Sequence, residues 1–270
     1  GPSSALFGNA SPGGVVNRVT KKPLDKAANS LSFSTGSFNT LRALADFTGP
    51  LNKEKTLLYR LNLGYENANS FRDLQFDKNT VIAPSLSFLP NDKTRVNMDL
   101  IYTSSKSVLD RGQSTYENDL YSTKTSQSLN STNDYLNEET YILTTSLNHQ
   151  FTDKLSFSSS YVRTGYSEDL LEHRGANKYA VDGNGATIPT QIEMQVFMRK
   201  RKRYIDNIAS FMNYKAETGA LTHNLILGYD YAQEQVPAGG SQLQARGYRN
   251  ASNTGAIATY NPNNKSAYLL

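Results

Sequence analysis

The 270-residue chain has no cysteine and no tryptophan. Without thiols there is no disulfide framework, no thiolate nucleophile and no thiolate metal site. The three histidines, His149, His173 and His223, are too far apart in sequence for ligand spacing, so no metal site is expected. Charge of one sign is also scarce. The formal net charge is +4, too small to point to nucleic acid. No run approaches the roughly 18–20 apolar residues that a membrane-spanning helix needs. Catalytic groupings are missing as well. Serines abound, but none sits in a Ser/His/Asp pattern, and Glu138–Glu139 reads as a solvated loop end. No catalytic residue and no enzyme activity is expected.

What is present is alternation with period 2. Leu57, Tyr59, Leu61, Leu63 and Tyr65 share one side, with Arg60, Asn62, Gly64 and Glu66 on the other. This is the signature of a strand with two unlike faces. Similar strands are expected at 30–35, 41–48, 82–88, 96–103, 141–151, 155–161, 191–214 and 221–231. Pro84 removes a ladder donor in mid-strand, so a bulge is expected there. Loops are expected at 67–79, 105–138 and 168–189, and a polar Gly/Asn-rich tail from Gln233 onward. Connections after strands two, four, six and eight read as short, and those after three, five, seven and nine as long. Short turns at one end and long loops at the other mark an up-and-down outer-membrane barrel. On strands two, three and five the face of Leu41, Tyr59 and Met98 has no charge in its centre. Arg42, Asp46, Arg60, Glu66, Arg95 and Asp99 lie opposite. A charge on a lipid face near mid-bilayer costs about 2–4 kcal/mol, which accounts for this segregation. The tyrosines suit an interfacial girdle.

The leading stretch, GPSSALFGNASPGGVVNRVTKKP, reads as a short turn, a Gly-rich bend and then a strand. Its string resembles the motif that closes the plug domain of TonB-dependent outer-membrane receptors, in the ferric-siderophore branch. The matching residues include Gly1, Pro2, Ser4, Leu6, Phe7, Gly8, Gly13, Gly14, Val15, Asn17, Val19, Thr20, Lys21 and Pro23. The family motif opens with an arginine, and this chain starts just after that position, so a truncated chain is expected. The resemblance implies an all-β, antiparallel, up-and-down transmembrane β-barrel, present in part. About nine strands of a 22-stranded barrel would occupy 25–270. Residues 1–24 would end the plug domain. Such a piece has two unpaired edges and is expected neither to seal nor to transport alone.

The function this implies is active uptake of a ferric siderophore across the bacterial outer membrane. The implied partners are the siderophore, the TonB complex, and outer-membrane lipid and lipopolysaccharide. No resident cofactor is implied, since iron arrives with its ligand. Cobalamin, haem or glycan uptake are alternatives within the fold. A soluble or surface all-β binding module is an alternative of another class. Asp110–Arg111–Gly112 with Tyr116 and Tyr121 resembles the start of a ligand-contacting outer loop, which makes Arg111, Tyr116 and Tyr121 candidate contacts. The run Arg199–Arg203 points to both sides of an extended strand and so belongs outside the hydrocarbon. Arg199 is a candidate contact for an anionic chelate or lipid A phosphate, or part of a solvated basic rim. Asp182, Asn184 and Glu193 have part of a calcium-loop spacing, but Thr187 stands where glycine is needed, so a plain turn is expected.

Overall fold

The alternating segments form a single antiparallel sheet in the computed structural model, which describes residues 19–112, 119, 121 and 123–252. The strands are β1 (Ala28–Gly36), β2 (Thr40–Pro50), β3 (Leu57–Asn69), β4 (Phe76–Asn91), β5 (Thr94–Ser107), β6 (Tyr135–Thr152), β7 (Leu155–Val181), β8 (Thr187–Thr218), β9 (Leu221–Gln235) and β10 (Ser241–Ser252). Each strand from β1 to β8 pairs with the next, in chain order. No helix among the described residues is long and apolar enough to cross a membrane, which says nothing against strands that do. The leading motif residues Gly1, Pro2, Ser4, Leu6, Gly8, Gly13, Gly14 and Asn17 lie outside the described residues.

Among the described residues ten strands stand where nine are expected, because part of the expected polar tail is strand. β9 pairs with the second half of β8, from Thr218↔Leu221 to Tyr204↔Gln235. β10 then pairs with the first half, from Arg201↔Ser241 to Gln191↔Ser252. The two run in one direction, so β10 prolongs the line of β9 after an excursion at 236–240. Gly240 closes that excursion against β8. A Cβ there would lie 2.6 Å from the Lys202 carbonyl oxygen and 2.8 Å from that of Pro237.

The expected loop at 168–189 is also overturned. β7 continues to Val181 and β8 begins at Thr187, so the connection is a short turn at the tip of a long hairpin. The Asp182 carboxylate accepts the backbone N–H of Asn184 and Ala186, each at 2.8 Å, as the turn reading expects. At Pro84 no bulge occurs. The β4–β5 ladder keeps one register from Ile82↔Tyr102 to Ser85↔Asp99 and shifts only between Phe88 and Asn91. A missing donor removes a hydrogen bond without inserting a residue. At the first hairpin, Phe38 and Asn39 have φ of 58° and 56°, and Thr40 N–H donates to the Ser37 carbonyl. That is the left-handed pair of a type I′ turn.

Register partners share a face. One row runs Leu31, Ala45, Leu63, Ile82, Tyr102, Tyr141, and another runs Tyr59, Leu86, Met98, Thr145, Tyr161, Ile208, Tyr231. These rows are not covered: Leu31 is 64% exposed, Ile82 41% and Met98 47%. On the other face a row of Thr48, Arg60, Ser85, Asp99 and Thr144 carries the polar groups. Residues 19–27 lie across this second face. There Lys22 meets Asp99 at 2.7 Å and Lys21 meets Asp46 at 3.0 Å. We call it the inner face, and the apolar one the outer. The deeply buried apolar side chains, including Leu170, Met194 and Val196, are gathered in the far halves of β7 and β8. That part of the hairpin rises beyond the apolar band, with its own packing on both faces.

Candidate functional site

Alternation along β6, β7 and β8 sends Leu136, Glu138, Tyr166, Glu168, Leu170, Glu172, Phe197 and Arg199 to the inner face of this raised wall. Leu136, Leu170 and Phe197 pack together with Leu109 from the 108–134 loop. This apolar patch dries the carboxylates beside it. Glu168 is 4% exposed and Glu172 fully buried.

A buried carboxylate is tolerated when it is paired and hydrogen-bonded. Both are. Arg199 grips Glu168 in a two-point contact, Nε to Oε1 and Nη2 to Oε2, the latter at 3.0 Å. The Tyr166 hydroxyl lies 2.9 Å from Glu168 Oε2 and 2.6 Å from Glu138 Oε1. Arg111 grips Glu172 in the same way, at 2.6 and 3.2 Å. Arg174 approaches Glu172 at 3.7 Å, and its guanidinium lies 4.2 Å above the Phe197 ring. Burial alone would raise the Glu168 carboxyl. Hydrogen bonds from Arg199 and Tyr166, with the charges of Arg199 and Arg201, outweigh this and hold it below its ordinary value. The carboxylates in turn push the Arg111 and Arg199 guanidiniums further up, so both stay cationic.

Of the residues singled out in the sequence, Arg111 and Arg199 therefore reach one wall, although they are distant in the chain. Tyr121 does not join them. It is 89% exposed, with its N–H donating to Asp119. Tyr116 lies outside the described residues. Sequence reading missed Glu168, Glu172, Tyr166, Arg174 and Phe197. The outer face of the same hairpin hid them. There Leu171, Met194 and Val196 are covered by Leu129. With both faces covered, the polar/apolar alternation that reveals a strand is lost.

One side chain gathers several contacts at the end of the covering loop. The Asp134 carboxylate accepts the His173 backbone N–H at 2.8 Å, the Ser131 N–H at 3.1 Å and Asn130 Nδ2 at 2.9 Å, and it also contacts His173 Nδ1. Gln75 joins through Asn130 at 2.7 Å. This network fixes the root of the loop that bears Arg111. Among the described residues no cluster of metal-ligating side chains occurs. Each of the two guanidiniums keeps N–H donors beyond those its carboxylate takes, so chemically the pair can also meet an anionic group.

No family model matches the chain. The metal-pseudopaline receptor CntO of Pseudomonas aeruginosa is 28% identical over 233 residues, covering 86% of this chain and 32% of that relative. The ferrichrome outer membrane transporter/phage receptor of Escherichia coli K12 is 32% identical over 94 residues, covering 35% of this chain and 13% of the relative. Among solved structures, the ferric-catecholate import receptor Fiu of E. coli K12 superposes with a TM-score of 0.77 at 17% identity, covering 96% of this chain and 42% of that one. The pyoverdine receptor FpvA of P. aeruginosa gives 0.66 at 17%, covering 89% and 34%. The chain spans about a third of the length of the first of these relatives.

Proposed function

We propose, from the premise that this chain belongs to the TonB-dependent receptors of the bacterial outer membrane, that it forms part of the wall through which a ferric siderophore is taken up. One observation carries the reading: the sheet has an uncovered apolar face and a polar face crossed by the leading segment. A wall between lipid and a plugged lumen needs those two faces. A soluble module would bury its apolar rows against a second layer.

The raised inner wall is the ligand-facing part. Arg111 and Arg199 would meet carboxylate, hydroxamate or catecholate oxygens of the chelate by charge-assisted hydrogen bonds. Each guanidinium has N–H donors beyond the two its carboxylate takes, so the chelate meets these while Glu168 and Glu172 stay paired. Tyr116 and Tyr121 stay candidate contacts on the strength of the loop resemblance alone. Lys200 and Lys202 alternate with Arg199 and Arg201 and so face outward, towards lipopolysaccharide. The TonB complex, driven by the proton-motive force, would pull on the plug. Iron enters as part of the ligand, and no resident cofactor takes part. The relatives' names, which include metal-pseudopaline, ferrichrome and ferrioxamine receptors, support a metal chelate as cargo.

Growth of a deletion strain under iron limitation, supplied with a panel of ferric siderophores, tests this. Loss of growth on one chelate, restored by the gene, is the expected result. Unimpaired growth on every chelate would refute it.

A further inference from the structure

The connection at 70–75 between β3 and β4 is short, yet it is fastened to both ends of the much longer loop at 108–134. At the near end, Arg72 Nε lies 2.7 Å from Asp110 Oδ2. At the far end, Arg72 Nη1 donates to the Gln127 carbonyl at 3.0 Å, and the Asp73 N–H donates to the Ser126 carbonyl at 2.7 Å. Gln75 Nε2 donates to Asn130 Oδ1 at 2.7 Å, and both of these side chains are buried. One guanidinium thus ties the start of the long loop to its end. Arg72 is only 14% exposed, so its ion pair is less screened than one in open solvent.

Asp110 has a second contact. Its Oδ1 accepts the Gly112 N–H at 2.8 Å, closing a turn by a side chain on its own backbone. Gly112 takes a φ of 81°, which a residue with a Cβ would resist. Arg111 stands inside this turn and reaches the buried Glu172 at 2.6 Å. The Asp110 carboxylate is therefore held by Arg72 on one oxygen and shapes the backbone around Arg111 with the other.

We propose that Arg72 is a positioning residue for Arg111, acting from one outer loop on another. This rests on the reading above that Arg111 meets the chelate. Arg72 itself touches no ligand. It fixes the turn from which Arg111 projects, so that the loop gives up little further freedom when a chelate binds. The loops at 70–75 and 108–134 then act as one body, and a change at position 72 is felt at position 111.

The test uses the full-length receptor with ferric citrate, a ferric tris-catecholate and a ferric tris-hydroxamate as probes, carried forward with whichever the wild type binds. Arg72→Gln is expected to weaken binding about tenfold, the order of one charge-assisted hydrogen bond, with the maximal uptake rate unchanged. In an Arg111→Ala background the same change is expected to add less than about twofold, because its effect passes through Arg111. Arg72→Lys keeps a cation beside Asp110 and is expected to recover most of the affinity. An equal loss in both backgrounds, or no loss in either, would overturn the proposal. Should Arg72→Gln fail to fold, Asp110→Asn removes the same ion pair while keeping an acceptor for Gly112, and it is held to the same outcomes. Trypsin cleavage after Arg111 in intact cells gives a readout that needs no chelate. Arg72→Gln is expected to be cut there several times faster than wild type, because the turn opens locally more often. Equal rates would overturn the proposal. A wild type that binds none of the probes would instead refute the uptake reading, and the cleavage rates would still decide whether Arg72 sets Arg111.

Discussion

Glu168 is the residue on which the raised wall depends most. It is almost fully buried and accepts from both Arg199 and Tyr166. Its pKa is lower in the folded state than the ordinary 4.5. Its contribution to stability is therefore complete above that ordinary value, and is lost as pH falls through the depressed one. Thermal unfolding followed from pH 7 to pH 3 should show this loss in the wild type and a flatter profile in Glu168→Gln. Breaking such a pair from one side costs about 3–5 kcal/mol, because Arg199 is left unmatched. For ligand binding, Arg199→Ala and Arg111→Ala should each weaken the chelate about 10- to 100-fold, the range of a lost charge-assisted hydrogen bond. Titration of the purified receptor by intrinsic fluorescence checks this. Phe38 offers a change of opposite sign. It holds a left-handed φ of 58° that costs an ordinary residue about 1–2 kcal/mol, so Phe38→Gly should raise the melting temperature.

Among the elements, the strands with one wet and one apolar face are the ones that alternation reveals. β3 is the clearest case: Leu61 and Leu63 point one way and Arg60 and Asn62 the other. Leu61→Arg should cost about 2–4 kcal/mol in bilayer folding equilibria, and Asn62→Arg much less. Equal costs at the two positions would mean that the faces do not differ. Legibility ends where β7 and β8 leave the apolar band. Above it, Leu170 and Leu171 are buried on opposite faces, one against Phe197 and the other against Leu129. Neighbours that are both buried carry no period-2 signal, so the hairpin reads as a loop. Arg199 was legible as a charge in the wrong place for hydrocarbon, and Arg111 through its likeness to the start of an outer loop. Their acceptors were not, because Glu168 and Glu172 become inner-face residues only once the strand is known to continue. Position 165 shows a limit of another kind. A Cβ on Gly165 would lie 2.1 Å from Tyr141 Cε1, so Gly165→Ala should destabilise by about 1–3 kcal/mol unless Tyr141→Ala accompanies it. A double-mutant cycle measures that coupling, which only the cross-strand register shows.

At the scale of the whole molecule, strand order follows chain order from β1 to β8, and β9 and β10 then lie end to end along β8. Among the described residues no second layer covers this sheet, so its apolar rows need a partner of another kind. Lipid fits on one side, and a polar, plugged interior on the other. Nitroxide scanning along residues 57–66 of the full-length receptor in bilayers tests this most directly. Positions Tyr59, Leu61 and Leu63 are expected to collide freely with oxygen dissolved in lipid, while Arg60, Asn62 and Gly64 positions are not. Low oxygen access at all of them, with immobile spectra on the apolar side, would place those rows inside a protein core and contradict the account.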